Sequence, residues 1–439
     1  MANIQSPKGT EDVLAKDSYK WQFVENLLLE AAYLYGYKEQ RTPTFESIDL
    51  FQRGVGGTTD IVQKEMFEVK AGKSEDIFAL KPEGTAGAVR CAIQNSVLNE
   101  TLPAKICYVT PCFRHERPQK GRLREFHQFG CEMFGAKNSN ADVEAISLVN
   151  HIFDLLGLKN ITLNINSIGC QECRKDYQAA LKEYFYKHKD KLCPTCLERL
   201  DRNPMRILDC KSEVCHEISK DAPVVLDYLC DECNNHFESV KAKLTVLNID
   251  YNINTKIVRG LDYYTKTVFE FCCTDLGAQD TICGGGRYDG LVEELGGKPT
   301  PALGFAMGLE RLFIALQTQG IEIPLPRKCD LYIGCIGEKA EIKALEIATK
   351  LRNEGFVIEC DLMERSVKAS MKYANKIEAY TSIIIGDEEL SSNKANLKDL
   401  LKGEQKEVDL DNQLKEELFN NMLNRETLFL EDEMGLSEE

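Results

Sequence analysis

The chain has 439 residues, 43% of them hydrophobic and 28% charged, which are globular values with room for two or three domains. A formal net charge of −16 argues against non-specific nucleic-acid binding over the whole surface, though not against a local basic groove on an acidic body. No apolar run is long enough to span a bilayer and the N-terminus "MANIQSPKGTEDVL" is polar, so neither anchor nor secretory signal is expected, and the cytosol is the expected compartment.

In chain order, Trp21 to Tyr35 has the apolar spacing of a helix and stops at Gly36. In "RTPTFE", Pro43 suits an extended stretch along a sheet edge. "DIFALKPEGTAGAVRCAI" passes from strand to helix around Pro82 and Gly84, which leaves Glu83 and Thr85 at the strand end, within reach of a ligand. "FRHERPQKGRLREFHQFGCEMFG", Phe113 to Gly135, alternates at period two on both sides of a turn marked by Pro118 and Gly121, the pattern of a β-hairpin. Its tip sets Arg114, Arg117, Lys120, Arg122 and Arg124 against one acid, Glu116. On its second strand Gln128, Gly130 and Glu132 share one face, while His127, Phe129, Cys131 and Met133 share the other, which reads as core. A helix from about Ala141 to Leu156 and the strand "NITLNINSIG" follow.

Residues 169–240 interrupt this pattern and read as an inserted small domain. Eighteen cysteines is a high count for a cytosolic chain, and eight of them fall here: Cys170 and Cys173, Cys193 and Cys196, Cys210 and Cys215, Cys230 and Cys233. Three C-x-x-C pairs and one looser pair suit one or two tetrahedral zinc sites, each with four thiolates; a reduced, metal-free insertion is the alternative. From Tyr251 the sheet resumes. "KIVRGLDYYTKTVFEFCC" reads as a strand pair broken at Gly260, and "ICGGGRYDGLVEEL" places three glycines before Arg287, so backbone must approach something closely there. "ALGFAMGLERLFIAL" reads as one apolar helix carrying Glu310 and Arg311.

"IPLPRK" marks a linker. Beyond it, strands and helices alternate, which predicts a compact, mostly parallel three-layer domain over residues 328–424, followed by an acidic, frayed tail at 425–439. In "RSVKASMKYANKI", Lys368, Lys372 and Lys376 form one stripe of a helix with Arg365 a turn earlier, either a solvated face or one that tracks phosphates.

Neither a P-loop nor a dinucleotide-binding glycine motif is present. What remains are Arg114, Arg259 and Arg311, each beside a glycine or a strand end, whose guanidinium forks suit phosphate oxygens. Glu83, Gln128 and Glu132 could receive an ammonium or an imidazole. "GGGR" could equally be a structural turn, and Tyr263 with Tyr264 a pair of core aromatics.

The hairpin motif resembles the second signature motif of class II aminoacyl-tRNA synthetases, "GFAMGLERL" the third and "RTPTFE" the first; "RGLDYYTKTVFEF" and "GGGRYDGL" resemble blocks specific to the histidyl-tRNA synthetase family. The resemblance runs from about Pro7 to past Asp409. It implies an α+β protein: a class II catalytic domain built on an antiparallel sheet (residues 1–325), carrying the cysteine-rich insertion, and a C-terminal α/β anticodon-binding domain. It implies homodimerisation through the first motif, and ligation of L-histidine to tRNA(His) with ATP and Mg2+. Carried over by residue, Arg114 and Arg259 would hold the α-phosphate as catalytic groups, with Arg114, Glu116 and Arg311 binding ATP. Glu83, Thr85 and Gln128 would take the amino-acid end, while Glu132 and Tyr264, with Tyr263 alongside, would read the imidazole. Arg117, Lys120 and Arg122 would meet the tRNA acceptor end, and Lys368 and Lys372 its anticodon arm. A catalytically silent relative that regulates histidine biosynthesis typically lacks the C-terminal domain and degrades the arginine motifs; both are intact here.

Overall fold

The alternating hairpin folds as its pattern requires. Ala104–Phe113 and Glu125–Phe134 pair antiparallel over their full length, with Tyr108 opposite Gly130 and Ile106 opposite Glu132. In the computed structural model, which describes residues 3–433 except 58, 71, 73–75, 209, 211 and 258–260, this hairpin lies within an eight-stranded sheet. Its strand order is Lys38–Glu39, Ala104–Phe113, Glu125–Phe134, Ala302–Gly308, Thr281–Arg287, Thr265–Cys273, Ile161–Ser167, Asn252–Ile253. All neighbours are antiparallel except the pair at each edge. One face packs Phe129, Cys131, Met133, Phe305 and Phe271 against the helices Ser18–Leu34 and Ser139–Leu155. His127 does not join that core. It is half-buried and donates its backbone N–H to Glu310 at 2.8 Å.

Two expected elements fold differently. "ALGFAMGLERLFIAL" is a central strand, Ala302–Gly308, followed by the helix Leu309–Thr318. An apolar run buried on both faces has no period to distinguish strand from helix. Gly304 decides it: a Cβ there would stand 1.8 Å from a Glu132 carboxylate oxygen, so only glycine lets this strand lie beside its neighbour. "KIVRGLDYYTKTVFEFCC" is a single strand, Thr265–Cys273, preceded by irregular chain among its described residues.

The glycines of "GGGR" answer to packing between strands: a Cβ on Gly285 would meet the Gly304 carbonyl at 2.4 Å. Arg287 is fully buried, pairs with Asp142 at 2.9 Å and donates to the Ala136 and Asn138 carbonyls, so it belongs to the frame and not to a ligand site.

The insertion contributes the helices Gln171–Tyr186, Pro194–Arg202, Glu213–Ser219 and Asp231–Val246. Its Tyr177, Leu181, Phe185, Leu200 and Ile207 share one apolar cluster with Tyr263, Tyr264 and Tyr288 on the other face of the sheet, so it is built into the first unit rather than hung from it.

The chain divides between Pro324 and Leu325 into two compact units. In the second, Leu331–Cys335, Ile358–Cys360 and Thr381–Ile385 are parallel, and Lys394–Asp399 and Gln405–Asp409 extend the sheet antiparallel. Leu331 and Ile333 face one apolar cluster and Tyr332 another, so both faces are covered. The last helix, Gln413–Glu433, runs across the boundary expected at residue 424. No described helix is long and apolar enough to cross a membrane.

Breaking the Arg287 pair tests this frame. Asp142→Ala leaves a buried guanidinium without its main partner and should destabilise the first unit by roughly 3–5 kcal/mol in chemical denaturation.

Candidate active site

The face of the sheet opposite the helical layer opens into a cleft of about 770 Å3, lined by Glu83, Thr85, Arg114, Gln128, Tyr263, Tyr264 and Arg311 among others. That is the size of a site for a nucleotide and a small molecule together.

At one end the groups suit an amino acid. Glu83 sits just before the helix Thr85–Gln94, and its carboxylate accepts the backbone N–H groups of Thr85 and Ala86, each at 2.8 Å. Burial pushes its pKa up, and those two donors oppose the shift. The Gln128 side-chain oxygen accepts the Gly84 N–H at 3.1 Å, so strand and helix start are locked together. Tyr263 and Tyr264 are buried with ring centroids 4.7 Å apart, and Tyr288 meets Tyr263 edge-on at 5.5 Å.

Glu132 lies beneath this cage and does not line the cleft. It is fully buried, accepting from the Tyr108 hydroxyl at 2.8 Å and from the Tyr288 hydroxyl. Burial raises its pKa to about 8 against three hydroxyl hydrogen bonds that lower it. Tyr108 and Tyr288 were not singled out in the sequence, although Tyr108 stands opposite Gly130 in the hairpin and Tyr288 directly follows "GGGR". Gly84 and Gly130 make room for the Tyr108 ring, since a Cβ on either would fall within 2.5 Å of it.

At the other end the groups suit phosphate. Arg114 lies over the Phe126 ring at 5.1 Å and donates to the Pro82 carbonyl at 2.8 Å. Arg311 is placed by Glu310, its neighbour, which ties the helix start to His127; Arg311 itself donates to the Thr281 carbonyl at 2.7 Å. Burial lowers the Arg311 pKa, and the nearby cations Arg122 and Arg114 lower it further. Arg122 turns into the cleft and pairs with Glu116 at 3.1 Å, whereas Arg117 and Lys120 are exposed at the tip. Arg259 lies outside the described residues.

The eight insertion cysteines fall into two groups: Cys170, Cys173, Cys230 and Cys233, and Cys193, Cys196, Cys210 and Cys215. Within each, all four sulfurs lie within 4.8 Å of one another. Tetrahedral zinc with Zn–S bonds of about 2.3 Å sets sulfur–sulfur distances of about 3.8 Å. Cys193 and Cys210 are 3.8 Å apart and Cys170 and Cys173 3.5 Å, so both donor sets fit a metal ion. Leu208, Cys210, Glu213 and His216 also line the cleft, a role that no local pattern marks in the sequence.

In the second unit Lys368 and Lys372 are exposed on the helix Val367–Lys376. Arg365 leaves their stripe: it pairs with Asp361 and stacks on Tyr373 at 4.0 Å.

An antiparallel sheet whose hairpin arginine and following helix arginine converge on one cleft defines a class II aminoacyl-tRNA synthetase. Comparison with known proteins narrows the class. Residues 9–312 match the family described as histidyl-tRNA synthetase, and residues 330–418 an anticodon binding domain. A histidine–tRNA ligase of Clostridium novyi (strain NT) is 55% identical over 409 residues, covering 93% of this chain and 97% of that one. One from Caldanaerobacter subterraneus subsp. tengcongensis is 52% identical at the same coverage. The apo histidyl-tRNA synthetase of S. aureus superposes with a TM-score of 0.79 at 38% identity, over 93% of this chain and 98% of that one. The chain belongs to the histidyl-tRNA synthetase family.

Glu132 yields a pH test. Between pH 4.5 and about 8 the folded chain keeps a proton that the unfolded chain has released, so this group's contribution to stability is present below pH 4.5 and lost as pH rises through about 8. Glu132→Gln should flatten the fall in Tm between pH 5 and 8; an unchanged slope would mean that Glu132 titrates normally.

Proposed function

We propose that the cleft performs both steps of histidine–tRNA ligation with the residues in the following roles. L-Histidine is activated with ATP, taken as its Mg2+ complex, to histidyl-adenylate and pyrophosphate, and the 3′-terminal adenosine of tRNA(His) then attacks the adenylate. The observation that carries this reading is the two-ended cleft, with carboxylate, amide and tyrosines at one end and converging arginines at the other. Glu83 takes the α-ammonium, with Thr85 and Gln128 beside it. Tyr264 and Glu132 read the two imidazole nitrogens, with Tyr263 packed alongside. An ionised carboxylate has about four lone-pair positions, and the hydroxyls of Tyr108, Tyr288 and Thr85 take three of them, which leaves one for a ring N–H. Such a donor–acceptor pair rejects ligands lacking either nitrogen, because the site's own polar groups would be left unpaired.

Arg114 and Arg259 grip the α-phosphate from two sides as the histidine carboxylate attacks in line, and Arg311 lies against the γ-phosphate with Glu116 near. The protein's work is positioning and cationic stabilisation, about 2.7–4 kcal/mol per well-placed group by analogy with oxyanion donors. Arg117, Lys120 and Arg122 meet the tRNA acceptor end, and residues 328–424 take the anticodon arm with Lys368 and Lys372 on its phosphates.

The same reading makes zinc the ion of the two cysteine clusters and the cytosol the compartment, where the thiols stay reduced. It makes the chain a homodimer through the first motif, where Phe45 is 54% exposed.

The purified protein should catalyse ATP–pyrophosphate exchange with histidine and with no other amino acid; a folded, ATP-binding preparation without exchange would overturn the assignment. Replacing Lys368 and Lys372 together by Glu should raise KM for tRNA and flatten its salt dependence, each lost contact removing up to ~0.9 from the log–log slope, while histidine activation is unchanged. An unaltered slope would make the stripe a solvated face.

A further inference from the structure

The two cysteine clusters are nested in sequence and differ in what they hold. The outer one joins the starts of Gln171–Tyr186 and Asp231–Val246, two 16-residue helices at the base of the insertion. That base is already fastened to the sheet, since Lys266 donates its N–H to the Gly169 carbonyl at 2.9 Å and Asp231–Val246 supplies Phe237, Val240 and Leu244 to the main core. None of its four cysteines lines the cleft.

The inner cluster joins shorter elements that pack on the tyrosine side of the sheet. Cys193 and Cys196 begin the nine-residue helix Pro194–Arg202, and Cys215 lies in the seven-residue helix Glu213–Ser219. Helices this short are not stable by themselves and need a cross-link or tertiary packing to persist. Backbone N–H groups already point at the sulfurs, Cys193 N–H to Cys215 Sγ at 3.3 Å and Ser212 N–H to Cys210 Sγ at 3.5 Å, which is how thiolates bound to a metal are stabilised.

The far end of Pro194–Arg202 reaches the segment that leads into Tyr263 and Tyr264. Arg199 pairs with Asp60 at 2.8 Å, and the Asn203 side-chain amide donates to the Asp262 carboxylate at 3.2 Å. Asp262 directly precedes Tyr263 and Tyr264, and Cys196 and Cys215 share an apolar cluster with both tyrosines. Between the ligands, Leu208 and Glu213 form part of the cleft wall.

We propose that the inner cluster binds a zinc ion whose task is positional: through the helix Pro194–Arg202 and the Asn203–Asp262 hydrogen bond it sets Tyr263 and Tyr264 against the imidazole, so that this ion governs histidine affinity while the outer ion secures the insertion. The proposal rests on the zinc reading above, and the test separates the two. Elemental analysis of the full-length protein should give two zinc ions per chain, and one in Cys196→Ser. In ATP–pyrophosphate exchange Cys196→Ser should raise KM for histidine about tenfold, with KM for ATP changed much less, because weakening one hydrogen bond to the ring costs about that factor. Cys230→Ser, in the outer cluster, should also lose one ion but lower Tm more and shift KM for histidine less. Asn203→Ala cuts the tether without touching a ligand; it should keep both ions and still raise KM for histidine several-fold. It also keeps the test open if a cysteine variant fails to fold. Wild-type protein with no metal and eight freely titrating thiols would overturn the zinc reading itself. Loss of one ion in Cys196→Ser, or of the tether in Asn203→Ala, with KM for histidine unchanged would leave zinc in place and overturn the positional role.

Discussion

Glu132 places a carboxylate at zero exposure in the middle of an antiparallel sheet, and the surroundings are shaped around it. Desolvating an unpaired carboxylate costs more than a fold can tolerate, so the group either keeps its proton or collects donors; here it does both, with a pKa near 8 and hydroxyls from Tyr108 and Tyr288. Gly84 and Gly130 make room for the Tyr108 ring, and Gly304 for the carboxylate itself, by having no Cβ. On the side where the Glu132 carboxylate leans, the neighbouring strand needs a glycine, and Gly304 is the residue opposite.

The opposite end of the cleft solves the reverse problem. Arg114, Arg122 and Arg311 converge in a protein whose net charge is strongly negative, and their mutual repulsion must be held without a bound anion. Backbone carbonyls do the holding: Pro82 for Arg114, Thr281 and Gly121 for Arg311, with the Glu116 carboxylate for Arg122. Neutral carbonyls fix a guanidinium in direction without cancelling its charge, which leaves the field available to a phosphate.

Much of this was legible in the sequence. Period-two alternation exposed the hairpin and assigned Gln128 and Glu132 to one face, because side-chain direction in a strand depends only on local geometry. Cysteine spacing marked the insertion and the side chains that gather into two clusters for the same reason: C-x-x-C is a local constraint. Where the sequence misled, burial on both sides was the cause. "ALGFAMG" is apolar throughout because it lies at the sheet centre, and nothing local separates such a strand from a helix. "GGGR" left a structural turn and a close backbone approach open, and the structure selects the approach: its glycines let neighbouring strands lie together and Arg287 serves Asp142.

Only the tertiary structure could decide relations between residues far apart in the chain. It paired the outer cysteines with each other and the inner ones with each other, joined Asn203 to Asp262, and brought Tyr108 and Tyr288 onto one carboxylate. It also turned Arg365 away from the lysine stripe toward Asp361. The sequence by itself determined which residues could do the chemistry, since residue type and short spacing carry charge, donor pattern and strand face. Which of them meet was decided by packing, because contacts between distant segments depend on how whole layers fill space and leave no local trace.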